Sequence, residues 1–152
     1  MSRYHACMID EQLRIAYANT ILRLGRRREL KIDLRQPVGD ACRHLLTELG
    51  LGSAFAVITA FDPGGRPSSA WKNRWRQLRM RARLTVRGRR FVPADGESPD
   101  GSHIERGFAI ALGRADAHAL ARAYEQLALY WFDGARFWLD FVREPRDSIP
   151  LP

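Results

Sequence analysis

Residues 98–105, Ser-Pro-Asp-Gly-Ser-His-Ile-Glu, contain the side chains of this sequence that are best suited to acid–base chemistry. Asp100, His103 and Glu105 lie within six residues, and a histidine beside carboxylates can exchange protons near neutral pH. Ser102 precedes the histidine, but sequence neighbours rarely form a working triad, and there is no Gly-x-Ser-x-Gly motif. A segment rich in Asp, Gly, Ser and Pro is more typical of a turn. His103 and Glu105 are therefore weak catalytic candidates, and the sequence favours a binding protein over an enzyme.

A second segment with distinctive chemistry is a run of basic residues. Residues 63–94 contain ten Lys or Arg and no acid, whereas the rest of the chain has 15 basic and 17 acidic residues. The formal net charge of +8 therefore arises in one segment, as expected for a surface that attracts polyanions. The residues predicted to bind an anion or a partner are Arg66, Ser69, Lys72, Asn73, Arg76, Arg79, Arg83, Arg87, Arg89 and Arg90.

A helical wheel over the basic run separates an apolar stripe from the charges. The stripe consists of Trp71, Trp75, Leu78 and Ala82, within about 40° of one direction at 100° per residue. The far side consists of Asn73, Gln77, Met80 and Leu84. The simplest interpretation is that the tryptophans pack on the sheet, with arginine stems extending around them. Because the run offers no i,i+4 ion pair, acids from residues 95–100, Asp140, Glu144 and Asp147, or a polyanion, must offset its charge.

Three classes of partner suit a free basic surface. Nucleic acid is the first, with Arg79 and Arg83 on phosphates, but no RNP, KH or helix-turn-helix signature predicts sequence-specific recognition. An acidic protein is the second, as for an immunity or adaptor protein. The third is a small phosphate-bearing anion at the turn of residues 62–73. We expect a polyanionic ligand in preference to a protein partner, with an enzyme that uses the 100–105 loop as a further alternative.

Composition and motifs limit the remaining classes. The 152 residues predict one domain over residues 1–143 and a Pro-rich tail over 144–152. There is no apolar run of membrane-spanning length and no signal peptide, so we expect a cytoplasmic protein without a membrane partner. Cys7 and Cys42 are predicted to be free thiols. No metal site and no cofactor are predicted, because zinc-type spacing, a Gly-x-Gly-x-x-Gly motif and a Walker loop are all missing.

Hydrophobic patterns predict an α+β fold, with a mixed sheet of six to seven strands covered by about four helices. Besides the basic helix, the predicted helices span residues 10–17, 37–49 and 115–127. The predicted strands span residues 19–24, 29–34, 54–61, 89–94, 107–113, 128–132 and 136–142. Residues 95–106 are predicted to be a polar loop, which would carry His103 and Glu105.

Three blocks of the sequence carry a family resemblance. They are ITAFDPGGRPSSAWKNRWRQL, SPDGSHIE and YEQLALYW. With these blocks the chain resembles, from about residue 14 to residue 141, the bacterial family called domain of unknown function 3293. The resemblance implies a small bacterial cytoplasmic domain, and it implies no activity.

The family pattern also marks polar residues that could share a site. Those that match it or occupy its polar positions are Thr59, Asp62, Asp100, Glu105 and Gln126. Asp62 stands where the family has Asn, His103 where it has Trp, and Lys72 where it has Glu. Ser69 can still cap the basic helix, but Lys72 cannot return the second bond of a capping box. The helix would then begin with free N–H donors and an added cation, which suit a phosphate or carboxylate.

Overall fold

The computed structural model describes residues 11–144 and 147–152, and its central element is one β-sheet. The strands are β1 Ile21–Leu24, β2 Leu30–Asp33, β3 Phe55–Thr59, β4 Phe91–Glu97, β5 Ile104–Ile110, β6 Ala128–Phe132, β7 Phe137–Phe141 and β8 Ser148–Pro150. They lie in the order β2-β1-β4-β5-β3-β6-β7-β8, and every pairing in the described residues is antiparallel.

Four helices cover both faces of this sheet. They are α1 Glu11–Ala18, α2 Asp40–Glu48, α3 Ala70–Val86 and α4 Arg114–Ala123. The α1 side of the sheet has a core that includes Leu46 of α2, Val57 and Tyr130. The α3 side has a separate core that includes Met80, Leu84, and Leu120 of α4. Since successive strand residues point to opposite faces, the alternation along each strand divides the two cores.

The predicted α+β class, single domain and number of helices are confirmed, whereas the predicted mixed sheet of six to seven strands is wrong. The sheet has eight strands because a short strand, β8, pairs with β7 in the segment predicted as a Pro-rich tail. Leu151 anchors this segment, since its side chain is buried in the α1-side core and its N–H bonds to the Phe137 carbonyl. Pro150 is compatible with the pairing because β8 is an edge strand.

The predicted polar loop at residues 95–106 is also wrong in its bounds, since half of it belongs to strands. β4 continues to Glu97 and β5 starts at Ile104, so only the six-residue turn 98–103 remains between them. The sequence did not predict these strand ends because their residues are polar. The strands pair there through backbone hydrogen bonds, which do not require apolar side chains. Residue 10, where the first helix was predicted to start, and Cys7 lie outside the described residues.

No helix in the described residues is long and apolar enough to span a membrane.

Candidate functional site

Helix α3 presents to solvent the stripe that was predicted to be buried. Trp71 is 64% exposed, Trp75 60% and Leu78 49%. The helix is buried instead through Asn73, Met80 and Leu84. The prediction that the tryptophans pack on the sheet is therefore wrong, and the face assigned to the far side of the wheel forms the contact.

Two polar residues on the inward face of α3, Asn73 and Arg76, have hydrogen-bond partners inside the protein. The Asn73 side chain accepts a hydrogen bond from the Asp62 N–H (2.9 Å) and donates one to the Asp62 carboxylate (2.8 Å). The Arg76 guanidinium donates to the carbonyls of Ala60 (2.8 Å) and Tyr124 (2.5 Å). Asn73 and Arg76, both predicted to bind an anion, therefore hold the helix to the domain, as buried polar groups with partners can.

The other basic side chains of α3 are not neutralised by the fold. In the described part of the chain, no carboxylate forms an ion pair with Lys72, Arg74, Arg79, Arg81 or Arg83. Just beyond the helix, Arg89 pairs with Asp116 at 3.3 Å between exposed side chains. The Lys72 ammonium lies 5.7 Å from the centre of the Trp71 ring, a cation–π distance.

The acidic residues that were predicted to offset the basic charge of α3 interact with other residues. Four of them pair with other arginines: Asp95 with Arg28, Glu97 with Arg23, Asp140 with Arg114 and Asp147 with Arg14. Asp100 accepts hydrogen bonds from Ser98 and Ser102 in its own turn, and these bonds lower its pKa to about 2. Asp100 thus stabilises the β4–β5 turn.

We call the exposed surface of this helix the outer face of α3. It consists of Trp71, Lys72, Arg74, Trp75, Leu78, Arg79, Arg81 and Ala82. Among the predicted binding residues, Lys72 and Arg79 lie on it, and Arg83 is half-buried at its margin. Arg66 and Ser69 lie exposed before it, and Arg87, Arg89 and Arg90 after it. Ser69 occupies the N-cap position but makes no side-chain capping bond.

A cavity of about 370 Å³ lies on the other side of the sheet, beneath α1. It collects three of the family's polar positions, Thr59, Glu105 and Gln126, together with His103. Asp62 and Asp100 are not among its lining residues. The sequence suggested this group only through the family pattern, because the residues come from different strands and connections.

The polar residues of the cavity differ in whether they form hydrogen bonds to the backbone of the protein. The Thr59 hydroxyl donates to the Arg106 carbonyl (2.7 Å), and the Gln126 amide donates to the Phe61 carbonyl (2.9 Å). The Glu105 carboxylate lies 3.3 Å from Nε2 of His103, which is exposed. Such a pair can exchange a proton, and it is the part of the predicted acid–base loop that the fold brings together.

Burial controls the electrostatics of this cavity. It raises the pKa of Glu105, and the neighbouring His103 only partly offsets that effect. Burial and the Glu105 charge also raise the pKa of Tyr17 to about 12. The cavity is therefore a place where a negative charge is poorly solvated.

No metal site accompanies these groups, since no cluster of three or more potential ligands occurs in the described residues. Cys42 is a free, half-buried thiol, and burial raises its pKa.

These features define the class of the protein, an α+β domain on one antiparallel sheet, with a basic aromatic helix on one side and a polar-lined cavity on the other. The family described as Protein of unknown function (DUF3293) matches residues 58–129, and this match supports the family resemblance of the chain. The match runs from β3 into β6 and includes α3, Glu105 and Gln126. Neither the curated proteins nor the solved structures give a match to the chain.

Proposed function

We propose that the protein is a binding module that recognises a polyanion, best suited to a single-stranded nucleic acid, through the outer face of α3. One observation carries this proposal: Trp71 and Trp75 are exposed among cations that have no acidic partner in the described residues. Proteins that bind single strands combine a positive track for the phosphates with aromatic side chains on which bases stack. Neither feature is needed to hold α3 in place, since its opposite face makes the contacts with the domain.

The spacing of the two tryptophans suits an extended strand. They are four residues apart on a helix, which separates them by about 6 Å along the axis. Stacked nucleotides rise about 3.4 Å each, so a strand must be stretched or partly unstacked to place a base on each ring. A single strand adopts such a form more readily than a duplex, and it exposes the faces of its bases. The preference for single strands follows from this geometry.

The expected affinity depends steeply on salt. If about four of the exposed cations contact phosphates, the slope of log K against log salt is about −2.8 for a single strand. Raising the salt concentration from about 50 to about 200 mM should then weaken binding about 50-fold. Fluorescence anisotropy of a labelled oligothymidylate, titrated with the protein, measures this dependence.

A pair of double variants tests whether the outer face of α3 is the site. Lys72→Ala/Arg79→Ala removes two charges from the face, and Arg26→Ala/Arg27→Ala removes two from the exposed β1–β2 turn. We expect at least about tenfold weaker binding for the first variant and little change for the second, since phosphate contacts are local. Equal losses in both variants would show that only net charge matters and would refute the site.

A second pair of variants tests stacking on the two tryptophans. Trp71→Ala/Trp75→Ala removes both rings, whereas Trp71→Phe/Trp75→Phe retains aromatic surface. We expect the alanine variant to lose more than about tenfold in affinity and the phenylalanine variant to keep most of it, because stacking contributes about 1–3 kcal/mol per base. If the two variants bind equally well, the bases do not stack on this face.

An acidic protein partner is the second candidate, and the same residues favour it. Tryptophan and arginine are enriched among the residues that dominate protein–protein binding energies, and unpaired cations speed association with an acidic surface. The oligonucleotide titration separates the two candidates. If neither single-stranded nor duplex nucleic acid binds at about 50 mM salt, the polyanion proposal fails and the protein partner becomes the leading candidate.

A further inference from the structure

The cavity beneath α1 is independent of the proposed nucleic-acid surface. Its floor includes Val57 and Tyr130, which belong to the α1-side core, whereas α3 packs on the opposite side of the sheet through Met80 and Leu84. Its roof comes from α1, through side chains that include those of Ala16 and Tyr17. A ligand in the cavity would therefore not contact the outer face of α3.

Small residues in β4, β5 and β6 create this space, with β3 lying between β5 and β6 in the sheet. Ala94 and Gly96 of β4, Gly107 of β5 and Ala128 of β6 all line the cavity, and Ala94 is the register partner of Gly107. A β-carbon added at Gly107 would lie 2.7 Å from the Ile58 carbonyl oxygen, so no larger residue fits there. Protein interiors are normally close-packed, with few voids larger than a water molecule. A cavity of about 370 Å³ falls within the range of small-molecule sites, about 300–1,000 Å³.

The charge inside the cavity indicates the sign of the ligand. Among the described residues no Lys or Arg forms an ion pair with Glu105, and its carboxylate has only the exposed His103 beside it. The other carboxylate of the lining, Glu97, is already paired with Arg23 at 2.8 Å. Burial raises the pKa of Glu105, and the charge of nearby Asp62 acts in the same direction. A half-buried carboxylate without a cation beside it is poorly solvated, so a bound cation would stabilise its charge.

The rings in the cavity wall favour the same kind of ligand. Tyr17 and Tyr130 both line the space, where burial raises the pKa of each hydroxyl and the negative charge of Glu105 acts in the same direction. Aromatic faces attract organic cations, and apolar walls favour a flat hydrocarbon body. Ala94, Ala128 and Leu129 provide such walls.

From this combination we infer that the cavity binds a small organic cation, in which an apolar, flat body lies between α1 and the sheet and a protonated amine or amidine pairs with Glu105. His103 borders the same carboxylate from the exposed side, so its side chain would leave room for the cation.

The test is a titration with matched probes. Benzylamine is compared with phenylacetate, phenethylamine with 3-phenylpropionate, and benzamidine with benzoate. The two members of each pair have similar shapes and opposite charges. Calorimetry gives the affinities, and amide shifts of Gly96 and Gly107 in ¹H–¹⁵N spectra locate the site. We expect at least one cation to bind with a dissociation constant at or below about 1 mM, and its anionic counterpart to bind at least about tenfold more weakly.

Variants connect the binding to Glu105 and to the cavity. Glu105→Gln should weaken the cation at least about tenfold and leave the anions unchanged or improved. Glu48→Gln is the matched control, because Glu48 also lies 3.3 Å from a histidine, His44, but on the exposed surface of α2. Ala16→Trp, a change at an exposed residue of the lining, should block all probes while the fold is retained, as thermal unfolding can verify.

Three results would overturn the inference. The first is that none of the six probes binds, and the second is that anions bind as well as cations. The third is that Glu105→Gln binds the cation as tightly as the Glu48→Gln control does. Oligonucleotide binding is measured separately on the same proteins, so its failure and the failure of the cavity proposal are distinguishable.

Discussion

Two leucines on α3 allow a direct test of which face of the helix supports the fold. Leu84 is 2% exposed and packs in the α3-side core, whereas Leu78 is 49% exposed on the outer face. Both belong to α3, with Leu84 in its last turn, so replacing either by alanine changes the intrinsic helix propensity by only a small amount. Any difference between Leu84→Ala and Leu78→Ala therefore reports tertiary packing.

The expected difference in the free energy of unfolding is large. A fully buried leucine replaced by alanine costs about 2–5 kcal/mol, because burial of its carbons is lost and a cavity remains. A substitution at an exposed site usually changes the free energy of unfolding by about 0.5 kcal/mol or less. We assign Leu84→Ala to the first class and Leu78→Ala to the second, with a loss below about 1 kcal/mol because half of its side chain still contacts the helix surface.

Urea unfolding, followed by far-UV circular dichroism, measures this difference. If the two variants share one m-value, the shift of their midpoints gives the change in free energy directly. For a chain of this size, a loss of 2 kcal/mol should lower Tm by about 4–8 °C. A larger loss for Leu78→Ala than for Leu84→Ala would refute the orientation of α3, and with it the exposure of Trp71 and Trp75 on which the proposed function rests.

Three further predictions concern residues that hold the fold together. Gly107→Ala should cost at least about 1–3 kcal/mol in thermal or urea unfolding, because its β-carbon would overlap a backbone carbonyl of β3; unchanged stability would contradict the close approach. Asn73→Ala should cost about 1–3 kcal/mol in the same assay, since it removes two hydrogen bonds to Asp62, and a loss below 0.5 kcal/mol would contradict that role. The Asp140 side chain is 1% exposed, and its burial raises its pKa. The hydrogen bonds that it accepts, above all from Arg114, have the larger effect, so the pKa is lowered overall. Its stabilisation is then present above the unfolded-state pKa of about 3.9 and lost as pH falls through the lower folded-state pKa. The difference in free energy of unfolding between the protein and an Asp140→Asn variant should therefore decrease below about pH 4 in acid titrations. A difference that stays constant with pH would contradict this role of Asp140.

Local sequence patterns predicted most of the helices and strands because they depend on neighbouring residues. The apolar run that became β3 and the hairpin of β6 and β7 across Asp133-Gly134 are examples, since burial on both faces and a tight turn each leave a short-range signature. The strand β8 left no such signature. Its three residues pair only because β7 offers a free edge and Leu151 finds a place in the core.

The orientation of α3 shows why a helical wheel could not locate the contact face. Judged by residue type, the tryptophan stripe is the more apolar side and Asn73, Arg76 and Gln77 the more polar one. Asn73 and Arg76 nevertheless face the domain, because Asp62 and the carbonyls of Ala60 and Tyr124 satisfy their hydrogen bonds. These partners are distant in sequence, so no local pattern contains them.

The sequence by itself determined the α+β class, the resemblance to the family that matches residues 58–129, and the confinement of the excess positive charge to residues 63–94. Each follows from residue type and order, which are complete before the chain folds. Only the tertiary structure decided that the cations on the outer face of α3 have no acidic partner among the described residues, that Trp71 and Trp75 are exposed, and that Glu105 borders a cavity. These properties arise from contacts between segments far apart in the chain, where partners compete for the same groups. The position of a carboxylate such as Asp140, paired with Arg114 and not with α3, is settled by that competition.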